Sequence, residues 1–162
     1  MAIKILVTGG TFDKEYDEIK EQLSFTETHL PQMLKLGRCK VDVNIRTIML
    51  IDSLNMSEED RQIILENCKK SEEERIVITH GTSTMSETAK FLGKSIKNKT
   101  IVLTGAMSPY AFGSSDGLFN LGCAITFAQT LSHGVYIAMN GRYFNWDNVR
   151  KNEKLGVFEE IK

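Results

Sequence analysis

The chain has 162 residues, a length that fits one domain in which roughly two thirds of the unfolded surface can be buried without disulfides or a metal. Its formal net charge is -1, with 25% charged residues and no long basic run, so the electrostatic footprint of a nucleic-acid-binding protein is missing. Its three cysteines lie far apart without CxxC or Cys/His spacing, which argues against a structural zinc site and favours reduced thiols.

The first predicted element is a strand, Ile3–Val7, within the opening MAIKILV. This apolar run is too short for a signal peptide or a membrane-spanning helix, so we expect a cytoplasmic protein without a membrane partner. Further short apolar runs bounded by turn residues are predicted as strands at Val41–Leu50, Arg75–Thr79, Thr100–Leu103 and Gly134–Met139.

Helical patterns separate these runs. The pattern from Ser57 to Lys70 begins with a serine cap and three acidic residues, which suit the positive end of a helix dipole. The other predicted helices are His29–Leu36, Thr84–Leu92 and Asp116–Leu131, the last with Asp116 as its expected cap. Residues 12–28 and 106–115 are predicted loops, and the tail from Asn140 is expected to form short strands and turns.

The alternation of strands and helices indicates βαβ crossovers and therefore a parallel sheet. The runs from Ile76, Ile101 and Val135 are almost wholly apolar, as expected of strands covered on both faces. We predict a single α/β domain over residues 1–162, with three layers and a mostly parallel sheet of Rossmann-like or flavodoxin-like type.

Ligands of such folds bind outside the carboxyl ends of the strands. The segments Thr8–Thr11, Thr79–Thr84 and Thr104–Ser108 are predicted at that edge, and Asp52 and Ser53 join them if the strand from Val41 is also parallel. We therefore expect hydroxyl groups to converge on one rim, where glycines let the backbone approach a ligand and helix N–H groups face an anion.

Several kinds of chemistry lack a motif in this sequence. Neither GxxxxGK[ST] nor GxGxxG occurs, and no pattern locates a carboxylate pair. His29 and His80 are too far apart in sequence to suggest a metal pair, and we interpret His80 as a hydrogen-bonded structural residue. A threonine nucleophile fits the strand ends better, provided that a base such as lysine accepts its proton. From the residues alone, Thr11 and Thr82 can equally be caps or turn residues.

Two stretches, VTGGTF at Val7–Phe12 and THGTSTMSETAKFL at Thr79–Leu92, resemble the signatures of the bacterial-type L-asparaginase family. Further segments are similar to that family in the same order: Asp52–Met56, Leu103–Pro109, Ser114–Leu121 and Asp147–Asn152. The resemblance spans nearly the whole chain but only the family's N-terminal domain. It is closer to compact, single-domain asparaginases, so we expect an intact enzyme that lacks the family's C-terminal domain.

The resemblance implies an amidohydrolase that cleaves the side-chain amide of asparagine, or a related small amide, through a threonine acyl-enzyme and without metal or cofactor. Thr11 would be the nucleophile, Thr82 and Lys151 would handle the proton, and Tyr16 would contact the nucleophile from a mobile lid. Ser53 would bind the substrate's α-carboxylate. The full set of expected substrate-binding residues is Gly10, Glu27, Asp52, Ser53, Gly81 and Ser83.

The sequence departs from the family in two ways. Ser83 stands where the family has an aspartate that holds the substrate's α-ammonium, so affinity for asparagine should fall and Lys151 should lack its counter-charge. The acidic residue that the C-terminal domain supplies from a neighbouring subunit is also missing. We favour Glu27 as its replacement over Asp13, Glu15 and Asp17, although each is better explained as a solvated surface charge, since lone acidic residues are mostly exposed.

These departures keep an alternative open, namely a catalytically weakened or inactive domain that retained a small-molecule pocket for binding or regulation. We also expect a homo-oligomer, a dimer or tetramer, because the family builds its sites at subunit contacts. The aromatic residues Tyr143, Phe144 and Trp146 would either form that interface or pack internally.

Overall fold

The computed structural model describes all residues from Met1 to Lys162. Its strands are, in chain order, β1 (Ala2–Gly9), β2 (Glu15–Asp17), β3 (Gln22–Ser24), β4 (Asp42–Ile51), β5 (Arg75–Thr79), β6 (Thr100–Thr104), β7 (Gly134–Met139), β8 (Arg142–Asn145), β9 (Arg150–Asn152) and β10 (Val157–Glu159). Its helices are α1 (Leu30–Leu36), α2 (Glu58–Lys70), α3 (Met85–Ser95) and α4 (Gly117–Thr130). Each predicted helix and long strand is present, with ends shifted by a few residues.

Six strands form one sheet in the order β4-β1-β5-β6-β7-β8. The first five are parallel and β8 is antiparallel to β7. Numbering only the parallel strands along the chain gives the order 2-1-3-4-5, the flavodoxin-like arrangement. The predicted mostly parallel sheet is thus confirmed, and the strand from Val41 is indeed parallel to its neighbour.

Hydrophobic residues cover both faces of this sheet, which gives the predicted three layers. Side chains of β1 alternate between them, because successive residues of a strand point to opposite faces. Leu6 packs in the core that α2 and α3 cover, whereas Ile5 and Val7 pack in the core that α1 and α4 cover. Strand β6 is buried along its whole length, as its continuous apolar sequence predicts.

The two predicted helix caps turn out differently. Ser57 and Asp60 form a reciprocal capping box at the start of α2. Asp116 occupies the N-cap position of α4, as predicted, but its side chain makes no capping hydrogen bond. Its carboxylate instead accepts the N–H groups of Met107 and Ser108 at 3.0 Å and the Asn120 amide at 3.1 Å.

The segment between β1 and α1 forms a small two-stranded hairpin of β2 and β3. Asp13 joins both ends of this hairpin, because its Oδ1 accepts the Thr28 hydroxyl at 3.1 Å and the His29 N–H at 2.8 Å. The predicted loop is therefore an ordered hairpin with a fixed base.

The tail after β7 packs onto the domain as short antiparallel pairs, as predicted. Phe144 is buried and Trp146 packs against Gly93, where an added Cβ would lie 2.3 Å from the indole. Tyr143 keeps 47% of its surface exposed. Two of the three aromatic residues therefore pack internally, and the same tail places Lys151 on β9.

Candidate active site

The candidate site lies where the chain leaves β1 and β5. These strands are parallel neighbours with Val7 opposite Thr79, so their carboxyl ends reach the same edge of the sheet. The chain also crosses from one face of the sheet to the other between them, and flavodoxin-like sheets bind ligands at this switch point. The two Gly-Thr turns of the sequence therefore end at the position where this fold leaves a crevice.

The turn after β1 presents Thr11. Gly9 and Gly10 adopt φ angles of 106° and 77°, which favour glycine, and the Gly10 N–H donates to the Ile51 carbonyl at 2.9 Å. Thr11 then opens a single 3₁₀ turn that ends at Asp13, and its side chain is partly buried. The sharp backbone turn brings Thr11 out of the sheet at the carboxyl end of β1.

The turn after β5 touches the first turn directly. A Cβ atom on Gly10 would lie 2.4 Å from the backbone of Gly81, so only glycine permits this approach. On its other side Gly81 packs against Ser53, whose Oγ would lie 2.5 Å from a Cβ on Gly81. The residues that precede Thr11 and Thr82 are thus in contact, and the segment of Ser53 joins them, as the sequence predicts.

Thr82 forms a side-chain hydrogen bond with Lys151. The Nζ of Lys151 donates to Thr82 Oγ1 at 2.9 Å across 69 residues of sequence. Thr82 is 7% exposed and the Lys151 side chain 12%. A carboxylate oxygen of Glu153 lies 3.7 Å from the same Nζ, so the expectation that Lys151 lacks a counter-charge is wrong. Glu153 follows Lys151 by two residues in the turn after β9.

Ser53 is held by the start of α3. The Thr84 N–H donates to Ser53 Oγ at 3.3 Å, and the Thr84 hydroxyl donates to the Ser53 carbonyl at 2.9 Å. Ser53 is only 1% exposed. Its hydroxyl therefore lies beside the N-terminus of a helix, where free N–H groups favour an anionic partner.

His80 lies fully buried directly before the second turn. Its Nδ1 donates to the Gly81 carbonyl at 2.7 Å, and its Nε2 lies 2.7 Å from Thr88 Oγ1. Burial, aided by the nearby Arg61 guanidinium, lowers the pKa of His80 from 6.5 to about 4 although its bond to Gly81 opposes the shift. His80 is thus neutral at ordinary pH and part of the scaffold, as its position at a strand end suggests.

Asp52 has both carboxylate oxygens occupied within the chain. Oδ2 accepts Lys14 Nζ at 2.5 Å and Oδ1 accepts the Leu54 N–H at 3.0 Å. The hydrogen bond from Lys14 is the main reason why the pKa of Asp52 lies below its ordinary value. The family resemblance indicates Asp52 as a substrate-binding residue, but no local sequence pattern indicates its pairing with Lys14 across 38 residues.

Asp13 has a role that no local sequence pattern indicates. Asp13 is fully buried, and burial raises its pKa although bonds from His29 and Thr28 oppose the shift. Its Oδ1 fixes the base of the hairpin, while Oδ2 has no hydrogen-bond partner. A buried carboxylate two residues after Thr11 therefore stiffens the turn that presents this threonine.

Comparison with known proteins decides the family. The family model "Asparaginase, N-terminal" matches residues 2–159. The chain belongs to the asparaginase family. The L-asparaginase of Thermococcus kodakarensis is 32% identical over 162 residues, which cover 97% of this chain and 49% of that protein. A probable periplasmic L-asparaginase of Haemophilus influenzae is 32% identical over 171 residues, covering 96% and 47%.

Solved asparaginase structures match the fold as well. The thermostable L-asparaginase of Thermococcus kodakarensis superposes with a TM-score of 0.88 at 30% identity, covering 99% of this chain and 51% of that one. The probable cytoplasmic L-asparaginase of Campylobacter jejuni superposes with a TM-score of 0.81 at 30% identity, covering 98% and 51%. The chain thus spans about half the length of the relatives it matches.

Three residues that the asparaginase resemblance assigns to the site lie outside its hydrogen-bonded part. Tyr16 lies on β2 with 55% of its surface exposed, and Glu27 and Ser83 are exposed as well. No hydrogen bond or ion pair joins Tyr16 to Thr11 or Glu27 to Lys151 in this structure. The roles of these three residues stay predictions.

Two further findings describe the chain as a whole. No three His, Cys, Asp or Glu side chains are grouped closely enough to hold a metal ion. None of the helices combines the length and the apolar character that crossing a membrane requires.

Proposed function

We propose that this chain is an asparaginase-type amidohydrolase, which hydrolyses the side-chain amide of L-asparagine or a related small amide to the carboxylate and ammonia. The observation that carries the proposal is the 2.9 Å contact between Lys151 Nζ and Thr82 Oγ1, in a turn that touches the turn of Thr11. A hydroxyl beside a mostly buried amine is an arrangement suited to proton transfer during acyl transfer.

In the first step, Thr11 Oγ1 forms a bond to the amide carbon and gives up its proton to the pair of Thr82 and Lys151. The resulting oxyanion is stabilised by N–H groups at the second turn, where those of Thr82 and Ser83 have no backbone partner. Such preorganised donors usually supply the largest part of the rate enhancement in acyl transfer. The C–N bond then breaks, and the nitrogen takes a proton and leaves as ammonia.

In the second step, water adds to the ester on Thr11, and the same pair accepts its proton. The C–O bond to Thr11 breaks, so that the carboxylate product leaves and the threonine hydroxyl is restored. Neither step calls for a cofactor, because the pair of Thr82 and Lys151 accepts and returns the proton that each step transfers.

Binding of the substrate follows from the packing of the turns. Ser53 is the proposed partner of the α-carboxylate, because it adjoins both Gly81 and the N-terminus of α3. Gly10 and Gly81 let the backbone approach the substrate, and Asp52 holds the turn of Ser53. Tyr16 is proposed to close over Thr11 from the hairpin, while Glu27 and Ser83 face the α-ammonium. Neither exposed residue provides a buried carboxylate, so this end of the substrate is the least tightly held.

We further propose that the chain works as a homo-oligomer in the cytoplasm. Large apolar side chains outside the core support a subunit contact, for example Phe119 with 61% of its surface exposed. Light scattering on the purified chain gives the number of subunits directly. One relative is named a probable periplasmic and another a probable cytoplasmic L-asparaginase, so fractionation of cells is the test for location.

The test of the proposed function is ammonia release from L-asparagine by the wild-type chain, by Thr11→Ala and by Thr26→Ala. Thr26 is an exposed threonine of the hairpin region and serves as the matched control. We expect release by the wild type and the control, and a loss of at least about a thousandfold in Thr11→Ala, since removal of a catalytic nucleophile can cost about a millionfold in kcat. Equal release by all three proteins would contradict the proposal.

A further inference from the structure

Lys14 lies three residues after Thr11 and forms an ion pair at the rim of the site. Its Nζ is 2.5 Å from Asp52 Oδ2, and the two side chains are 16% and 32% exposed. The Arg150–Glu159 pair of the tail, at 62% and 30%, is far more open. The shielding of the Lys14 ammonium distinguishes this contact from an ordinary surface pair, which contributes little.

The contacts of Lys14 connect three separate segments. Its backbone N–H donates to the Thr11 carbonyl at 3.2 Å, which closes the turn of the proposed nucleophile. Its ammonium reaches Asp52, whose other oxygen caps the 3₁₀ turn that begins at Ser53. The ammonium also lies 5.8 Å from the centre of the Phe25 ring, just after the hairpin.

We propose that Lys14 is a positioning residue that fixes, through Asp52, the distance between Thr11 and the Ser53 turn, and thereby sets the affinity for the carboxylate of the substrate. This inference rests on the proposed function, since it gives Thr11 and Ser53 their catalytic and binding roles. It concerns geometry more than stability, because the ion pair joins the turn of Thr11 to the turn of Ser53.

The two ends of the ion pair make the inference testable by a double-mutant cycle. The variants are Lys14→Met, which keeps the length of the side chain, Asp52→Asn, which keeps its shape, and the combination of both. Lys14→Arg retains the cation, and Lys20→Met removes an exposed lysine of the same hairpin as the matched control. Steady-state kinetics and a melting temperature are measured for each protein.

Lys14→Met and Asp52→Asn should each raise KM about tenfold and change kcat less than about threefold. The double variant should be no worse than either single variant, since both remove the same contact. Lys14→Arg should stay within about threefold of the wild type, and Lys20→Met should be unchanged. Additive effects in the cycle, an unchanged KM in Lys14→Met, or a loss confined to the melting temperature would overturn the inference.

Binding of L-aspartate, followed by calorimetry on the same proteins, separates this inference from the proposed function. If the wild type binds aspartate without releasing ammonia from asparagine, the proposed function fails and a tenfold weaker affinity in Lys14→Met still supports the positioning role. If the wild type turns over asparagine and Lys14→Met keeps its KM, only the positioning role fails. A wild type that neither turns over asparagine nor binds aspartate overturns both.

Discussion

The turns that carry Thr82 and Thr11 end neighbouring strands but are held in different ways. Thr82 is almost fully buried, bonded to Lys151 and preceded by the buried His80. Thr11 is only partly buried and is followed by a hairpin on which Tyr16 is 55% exposed. One side of the site therefore carries fixed charges and donors, which act without reorganisation. The other side borders on an exposed segment through which a substrate can enter.

The largest expected effect comes from the buried side. Lys151→Met should lower kcat by about 100- to 10,000-fold, because positioned proton transfer is typically worth this much. Lys154→Met changes an exposed lysine of the following turn and should leave the rate of ammonia release unchanged. If both variants lose activity equally, the contact between Lys151 and Thr82 does not contribute specifically to catalysis.

The next effect concerns the contact between the two turns. Gly10→Ala places a Cβ against the Gly81 backbone at a φ of 77°, and we expect roughly 2–4 kcal/mol of destabilisation from the clash and the strained conformation. Gly122 on α4 has open space at its Cβ position, so Gly122→Ala should be neutral or stabilising by up to about 1 kcal/mol. Urea unfolding measures both variants. A Gly10→Ala chain as stable as Gly122→Ala would show that the turns are not in contact.

A comparable effect is expected from pH, through His80. Its pKa falls from 6.5 to about 4 in the fold, so the unfolded chain binds more protons between these values and the free energy of unfolding must fall as pH is lowered through that window. The loss is on the order of 3 kcal/mol. Unfolding curves from pH 7.5 to 4.5 should therefore be steeper in pH for the wild type than for His80→Gln. The exposed His133 provides the control His133→Gln, which should keep the wild-type slope; equal slopes in all three proteins would argue against a neutral, buried His80.

The smallest expected effect lies at the exposed end of the second turn. Ser83→Asp adds a carboxylate where the asparaginase family has one, and a charge-assisted bond of about 1.5–3 kcal/mol should lower KM for asparagine by roughly 10- to 100-fold. Activity that appears only in this variant would indicate that the wild-type chain has lost the catalytic activity of its family. If the wild type is strongly active and the variant is no better, the site does not need a carboxylate at position 83.

The sequence predicts the buried side better than the exposed side, for a physical reason. The strand of Ile76–Thr79 is short, almost wholly apolar and followed two residues later by Gly81, so local pattern alone places the turn of Thr82 at the edge of the sheet. The contact between Thr82 and Lys151 was also anticipated, but only through the resemblance to a family, because no periodicity links residues so far apart.

No sequence pattern indicates the polar contacts on the exposed side of the site. The bond between Lys14 and Asp52 depends on the β1–β4 neighbourhood, and the carboxylate of Asp13 finds its partners only after the hairpin has formed. For Asp116 the local sequence predicts the N-cap position correctly, but it does not reveal that the carboxylate binds N–H groups of the preceding loop. Local patterns identify elements, whereas the polar contacts between loops follow from the assembled sheet.

The central claim is that Thr11 forms the covalent bond while Thr82 and Lys151 handle the proton. The most direct measurement is mass spectrometry of proteolytic peptides from the wild-type chain and from Thr82→Ala, each mixed with L-asparagine and rapidly quenched during turnover. The account predicts an acyl adduct, asparagine less ammonia, on the peptide that contains Thr11. The same adduct on the wild-type peptide containing Thr82, and its loss in Thr82→Ala, would contradict it.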